Sequence, residues 1–191
     1  MTSTRRMGSL DSDKATAMLD AAEYILTESG YAALTSRRVA EQLGVKQRLV
    51  YYYFRTMDDL VLETFKRLAE RELERLNAGV SSDRPLHEVW DIFINTSDSR
   101  IIAEFMALAN HHEELRTEVI AFIEESRKNQ IRALKKVMKA RGIDGGVSAD
   151  AIALIGSSLA LSLNRENLLG VSLGHAAVNK MIKQFFERLE G

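Results

Sequence analysis

The chain contains no cysteine, which excludes disulfides, thiol nucleophiles and cysteine-ligated zinc or iron–sulfur sites, and suits a reducing cytosol. Its one proline is Pro85, and alternating runs of β-branched residues are absent, so a sheet has little to be built from. No charge-free run exceeds the 14 residues from Ala151 to Asn164, short of the roughly 18 to 20 that cross a bilayer. The tail from Met1 to Asp13 lacks the apolar stretch of a signal peptide. No charge sign dominates either: 26 basic residues face 27 acidic ones, so attraction to a polyanion needs a local patch. There is no phosphate-cradling loop and no paired nucleophile and base. The expectation is a cytoplasmic protein with no membrane association, no catalytic residues, no cofactor and no metal.

What is present is helical periodicity. Apolar residues recur at spacings of three and four along nearly all 191 positions, which predicts an all-α fold, a small domain joined to a larger one. Met18, Ala21, Ala22, Ile25 and Leu26 form one stripe, and Gly30 ends the helix that begins near Asp13. Thr35 is placed to cap a second helix carrying Val39, Ala40 and Leu43, closed by Gly44. A third runs from about Lys46 to Phe54. Thr56 caps a fourth, with Asp58 and Asp59 in its first turn and Leu60, Val61, Phe65, Leu68 and Leu76 leading toward Asn77. The segment from Gly79 to Pro85 reads as a loop. Helices then follow over Leu86 to Asn95, Arg100 to His112 and Arg116 to Ala140. After a glycine-rich turn at Gly142 to Gly146 come two more, Ser148 to Asn164 and His175 to Leu189. The expected domains are residues 1–60, with a disordered tail over about 1–12, and residues 61–191.

Ser36 to Arg55 has the spacing of a helix-turn-helix. Ala40 is small where two helices cross, and Gly44 supplies the positive φ of a tight turn. Val39, Leu43, Val45, Val50 and Tyr53 face inward. Lys46, Gln47, Arg48, Tyr51, Tyr52 and Arg55 then face outward, the set a major groove would meet. From Thr35 to Met57 there are five basic residues and one acid, Glu41, a local charge of +4. The alternative is a three-helix scaffold with a solvated basic face.

Over about Ala15 to Phe65 the chain resembles the TetR family of transcriptional regulators, above all in AAEYILTESGYAALTSRRVAEQLGVKQRLVYYYFRTMDDL. The resemblance implies an N-terminal three-helix DNA-binding domain and a C-terminal helical domain for effector binding and dimerisation. It also implies a homodimer on an inverted-repeat operator of double-stranded DNA, controlled by a small-molecule effector. The chain departs from the family pattern at Lys46, Gln47 and Arg48, where the helix tip is larger and more basic, at Leu49, and at Met57, where a lysine is common. By chemistry, Thr35, Ser36, Tyr51 and Tyr53 are candidate phosphate positioners, with packing as the alternative for Tyr53. Arg37, Gln47, Arg48 and Tyr52 are candidates for base contact.

In the rear half, the long helix has an apolar face through Val119, Phe122 and Ile123 that is interrupted by Ser126 and Gln130. Polar groups on a buried stripe need partners. Either they line a small-molecule pocket with Trp90, Phe93, Met106, His112 and Phe122, or they bond to a neighbouring helix. His112 falls on the face of Ile101, Phe105 and Leu108, as a core or pocket histidine would. His111 and His112, being adjacent, diverge by about 100° on a helix and lack the spaced pair of a metal site. Ala151 to Leu163 is apolar or small all round, as for a helix covered on both sides. The resemblance implies that the last two helices pair with their copies. It assigns the interface to Leu154, Ser158, Leu161, Val178, Met181, Ile182, Phe185 and Phe186; a deep monomer core is the alternative. Two rival functions are a helical enzyme using Glu124, Glu125, His111 or His112, and a helical protein-interaction module.

Overall fold

The computed structural model describes residues 8–95, 99–143 and 148–191, and among them it contains nine α-helices, one short 3₁₀ turn at Tyr31–Ala33 and no strand. Residues 1–7 of the expected tail and 144–146 of the expected glycine-rich turn lie outside the described residues. The helices are α1 Asp13–Ser29, α2 Ser36–Gln42, α3 Gln47–Tyr53, α4 Met57–Val80, α5 Pro85–Ile94, α6 Ser99–Leu108, α7 Glu113–Ala140, α8 Ala149–Leu168 and α9 His175–Glu190. Among the described residues, no helix is long and apolar enough to cross a membrane.

Two compact units share the chain. One comprises the residues up to Ala69 together with Ile101–Glu118, the other Glu70–Arg100 with Val119–Gly191. In the first, Met18, Ile25 and Leu26 of α1, Val39 of α2, Val50 of α3 and Phe54 are almost wholly buried. Phe65 of α4 meets Phe105 of α6 edge-on, with centroids 5.1 Å apart. Arg67 ties α4 to α1 through Asp20 and Glu23, each at 2.7 Å. The core of the second unit is built from Leu86 and Trp90 of α5, Ala133, Leu134 and Val137 of α7, Ala153, Ala160 and Leu163 of α8, and Phe186 of α9. Glu190 closes this unit: its buried carboxylate accepts from the Leu86 N–H in the first turn of α5 and meets the His87 ring. An acid at that place satisfies a backbone donor that the helix itself leaves unpaired.

Several helix ends differ from those read off the sequence. α6 stops at Leu108 instead of reaching His112. The chain tightens there, with the His111 N–H bonded to Leu108 O at 2.9 Å. Arg116 takes up the exposed carbonyls, Nε donating to Ala109 O at 2.9 Å and Nη2 to Asn110 O at 2.8 Å. α7 therefore begins at Glu113, with two acids in its first turn. α4 includes Gly79 and Val80, which leaves only 81–84 as loop, and Pro85 is the first residue of α5. α8 continues past Asn164 to Leu168, since Arg165 and Glu166 are good helix formers.

Candidate nucleic-acid interface and apolar cavity

The turn between α2 and α3 is made by local hydrogen bonds. Thr35 Oγ1 accepts from the Arg38 N–H at 3.2 Å and caps α2. At the other end Gly44, at φ 64°, permits the Val45 N–H to reach Ala40 O at 2.9 Å and its own N–H to reach Glu41 O at 3.2 Å. This paired closure needs a left-handed residue, which glycine adopts at no steric cost. Ala40 is buried at the crossing, as are Val39 and Val50, while Leu43 and Val45 are half-buried.

The turn leaves Lys46, Gln47, Arg48, Tyr51, Tyr52 and Arg55 exposed together. Lys46, Arg48 and Arg55 have no carboxylate partner among the described residues. Two other cations of the patch are engaged. Arg37 Nε donates to Glu41 Oε1 at 2.8 Å, and the hydrogen bond and charge of Glu41 raise the Arg37 pKa above its ordinary value. Arg38 Nη2 donates to Ser29 Oγ at 2.8 Å. Thr35 is exposed, whereas Ser36 is buried and bonded to Gln47 and Tyr51 across the turn. Tyr53 is buried, its ring edge-on to Tyr52 with centroids 5.1 Å apart. The backbone of Gly8 lies so close to both rings that a Cβ there would come within 2.5 Å of Tyr53. Met57 is half-buried at the start of α4, and the Thr56 hydroxyl accepts from the Asp59 N–H at 3.0 Å.

The second unit contains a cavity of about 230 Å³ between α5, α7, α8 and α9. Of the expected pocket residues it is lined by Trp90, Phe93 and Gln130; Phe122 and Ser126 are not on its wall, and Met106 and His112 belong to the other unit. Ile182, Phe185 and Phe186, expected at an interface, also line it, with Val89, Ala133, Leu134, Ala153, Ile155 and Gly156 among the residues sequence reasoning missed. Gln130 is the sole polar side chain of the lining. Its amide donates to Ser126 O of its own helix at 3.2 Å, not to a neighbouring helix. Ser126 Oγ, Trp90 Nε1 and both side-chain polar atoms of Asn129, which is only 1% exposed, are buried without a partner in the structure. Asn129 sits three residues beyond Ser126, so the polar interruption of the α7 stripe pointed to it as well.

His112, beyond the end of α6, is not on that helix's apolar face. It is half-buried, 3.6 Å from Asp58 Oδ1 and edge-on to Tyr31 at 6.3 Å. Among the described residues no group of three or more His, Asp or Glu side chains is placed to hold a metal. On α8 and α9, Leu154, Ser158, Leu161, Met181 and Phe185 are exposed, Val178 and Ile182 half-buried and Phe186 buried. The expected cover on both sides of α8 is therefore not supplied within this chain's second unit.

Comparison with known proteins agrees with this geometry. Residues 18–64 match the family model of bacterial regulatory proteins, tetR family. The fatty acid metabolism regulator protein of Bacillus subtilis is 26% identical over 78 residues, a match spanning 41% of this chain and only 40% of that protein's length. Among solved structures, a transcriptional regulator from Saccharomonospora viridis in complex with choline superposes with a TM-score of 0.80 at 17% identity, covering 92% of this chain and 97% of its own. A TetR transcription regulator from Haloarcula marismortui gives 0.76 at 19% identity, covering 93% and 96%. The matched segment contains α2, the Gly44 turn and α3, and over it the chain is similar to the bacterial regulatory proteins of the tetR family.

Proposed function

We propose that this protein is a ligand-responsive repressor that binds an inverted-repeat operator as a cytoplasmic homodimer and has no enzymatic activity of its own. The observation that carries the reading is the set of three cations without a carboxylate partner among the described residues, Lys46, Arg48 and Arg55, held exposed around one short helix of a helix-turn-helix. Arg48 suits bidentate bonding to guanine, and Thr35, Tyr51 and Arg55 suit phosphate. Residues 1–60 serve DNA binding and 61–191 effector binding and dimerisation.

The effector is small, uncharged and largely apolar. With Gln130 the sole polar side chain on the wall, a buried charge would find no counter-ion. The Saccharomonospora viridis structure contains choline, a cation; the lining of this cavity includes no carboxylate that would offset one. Dimerisation covers the apolar residues left exposed on α8 and α9, and a twofold pair of reading helices is what an inverted repeat requires. Effector and operator then oppose each other through a population shift, each weakening the other by the same factor.

Selection of binding sites from random duplex DNA, with footprinting of the enriched sequence over a salt series, tests this. The expected result is an inverted repeat whose binding weakens with salt at a slope of about −0.9 per neutralised phosphate. No enrichment by folded, dimeric, ligand-stripped protein would overturn the reading. Trp90, the only tryptophan of the chain, stands on the cavity wall, so its emission reports occupancy in the effector screen that follows.

A further inference from the structure

We infer that Ser36 is a positioning residue for base selection, its buried hydroxyl holding the Gln47 amide so that the carbonyl oxygen and the second amide N–H are left to select adenine. The inference rests on the reading that α3 enters the major groove. Ser36 opens α2 and Gln47 opens α3, and the turn at Gly44 brings them together: Gln47 Nε2 donates to Ser36 Oγ at 2.8 Å. Ser36 Oγ in turn donates to the Tyr51 hydroxyl at 3.0 Å. Capping of α2 does not occupy Ser36, because Thr35 performs it.

An amide nitrogen only donates, so Ser36 accepts from Gln47. Its own proton is directed to Tyr51, which leaves the Tyr51 proton for an acceptor outside the protein such as a phosphate oxygen. A free glutamine turns its amide either way and loses that freedom on binding; this one is set in advance. With one N–H committed inward, the exposed side chain keeps its carbonyl oxygen and its second N–H. In the major groove adenine offers a donor, N6, beside an acceptor, N7, on one base edge, whereas guanine offers two acceptors.

The test uses the full-length protein and the selected operator, with each base pair of a half-site varied in turn in competition binding. Gln47→Ala identifies the pair concerned as the one whose preference it flattens. At that pair the wild-type protein favours A·T over G·C by about tenfold. Ser36→Ala lowers this ratio to about twofold while hardly changing affinity for the disfavoured duplexes, and Ser36→Thr restores it. In a Gln47→Ala background the further change Ser36→Ala has no effect on preference, a result that loosened folding alone would not give. Circular dichroism and thermal melts check each variant. Should Ser36→Ala fail to fold, Tyr51→Phe decides: Tyr51 is exposed, and without its hydroxyl the Ser36 proton turns to the Gln47 carbonyl, so discrimination at the same pair falls. The proposal is overturned by a preferred G·C at that pair. Wild-type discrimination in the folded Ser36→Ala variant, or in Tyr51→Phe where that variant does not fold, also overturns it. Selection of no sequence at all would instead defeat the operator reading, whereas a selected operator at which Gln47→Ala flattens no pair defeats this inference alone.

Discussion

In α1, α2 and α3 the apolar side chains lie almost wholly inside: Met18, Ile25, Val39, Val50 and Phe54 are buried, and the outer face of α3 presents amines, guanidinium groups, an amide and phenols. In α8 and α9 the arrangement is reversed. Ile155 is 65% exposed, Met181 59%, and Leu173 in the turn between the helices 94%. A charged outer face is a finished surface in water that still attracts a polyanion, whereas apolar side chains left exposed gain from any contact that takes them out of water. The two regions thus differ in what they ask of a partner, charge and pattern in the first, and simple coverage in the second.

The sharpest way to break this comparison is Met181→Asp combined with Leu161→Asp. Both side chains are exposed, so folding of one chain should be little affected. Loss of the second half-site contact should weaken operator binding roughly 100- to 10,000-fold. Sedimentation and DNA titration check it, and an intact dimer would show that α8 and α9 are uncovered by design. Next in size is Glu190→Ala, which probes an acid that the second unit buries against a helix start. Leaving the first turn of α5 without its acceptor should cost about 1 to 3 kcal/mol in denaturant melts, with no loss of sequence preference in the folded protein.

Two smaller effects sharpen the contrast. Arg48→Ala should relax selectivity at one pair of each half-site by about 1 to 3 kcal/mol. Lys46→Ala should weaken all sequences alike and reduce the salt slope by about 1. Equal losses on every sequence for Arg48→Ala would make it a phosphate contact. The smallest is Gly156→Ala on the cavity wall. A Cβ there meets nothing within 4 Å, so the helix-propensity gain of about 0.5 to 1 kcal/mol should appear as a higher melting temperature with unchanged operator affinity.

The helix-turn-helix was legible in the sequence because each of its special positions has a local cause. Thr35 caps, Gly44 takes the positive φ and Ala40 admits a close crossing, and none of these depends on a distant part of the chain. Ser36 was read as a phosphate contact on the same logic, because a hydroxyl at a helix start is ordinarily outward. Its burial depends on where α3 lies, which helical phase alone does not give. The end of α6 was missed for a similar reason. Arg116, from the following helix, satisfies the carbonyls at 109 and 110, and no periodicity announces that. His112 moved out of the pocket set with it. In the second unit, apolar phase led to Trp90, Phe93 and Gln130 but not to Ala133 or Ala153, since small residues mark a cavity only once their neighbours are in place.

The length of α3 sets a bound on information. Seven residues span about 10 Å, or roughly three base pairs of duplex. Three fully specified pairs recur by chance about once in 64, and a symmetric pair of such readings about once in 4,000, against the roughly 10⁶ to 10⁹ competing sites of a genome. On the proposed inverted-repeat operator, a helix this short makes half-site spacing and the shape of the DNA between half-sites part of the address.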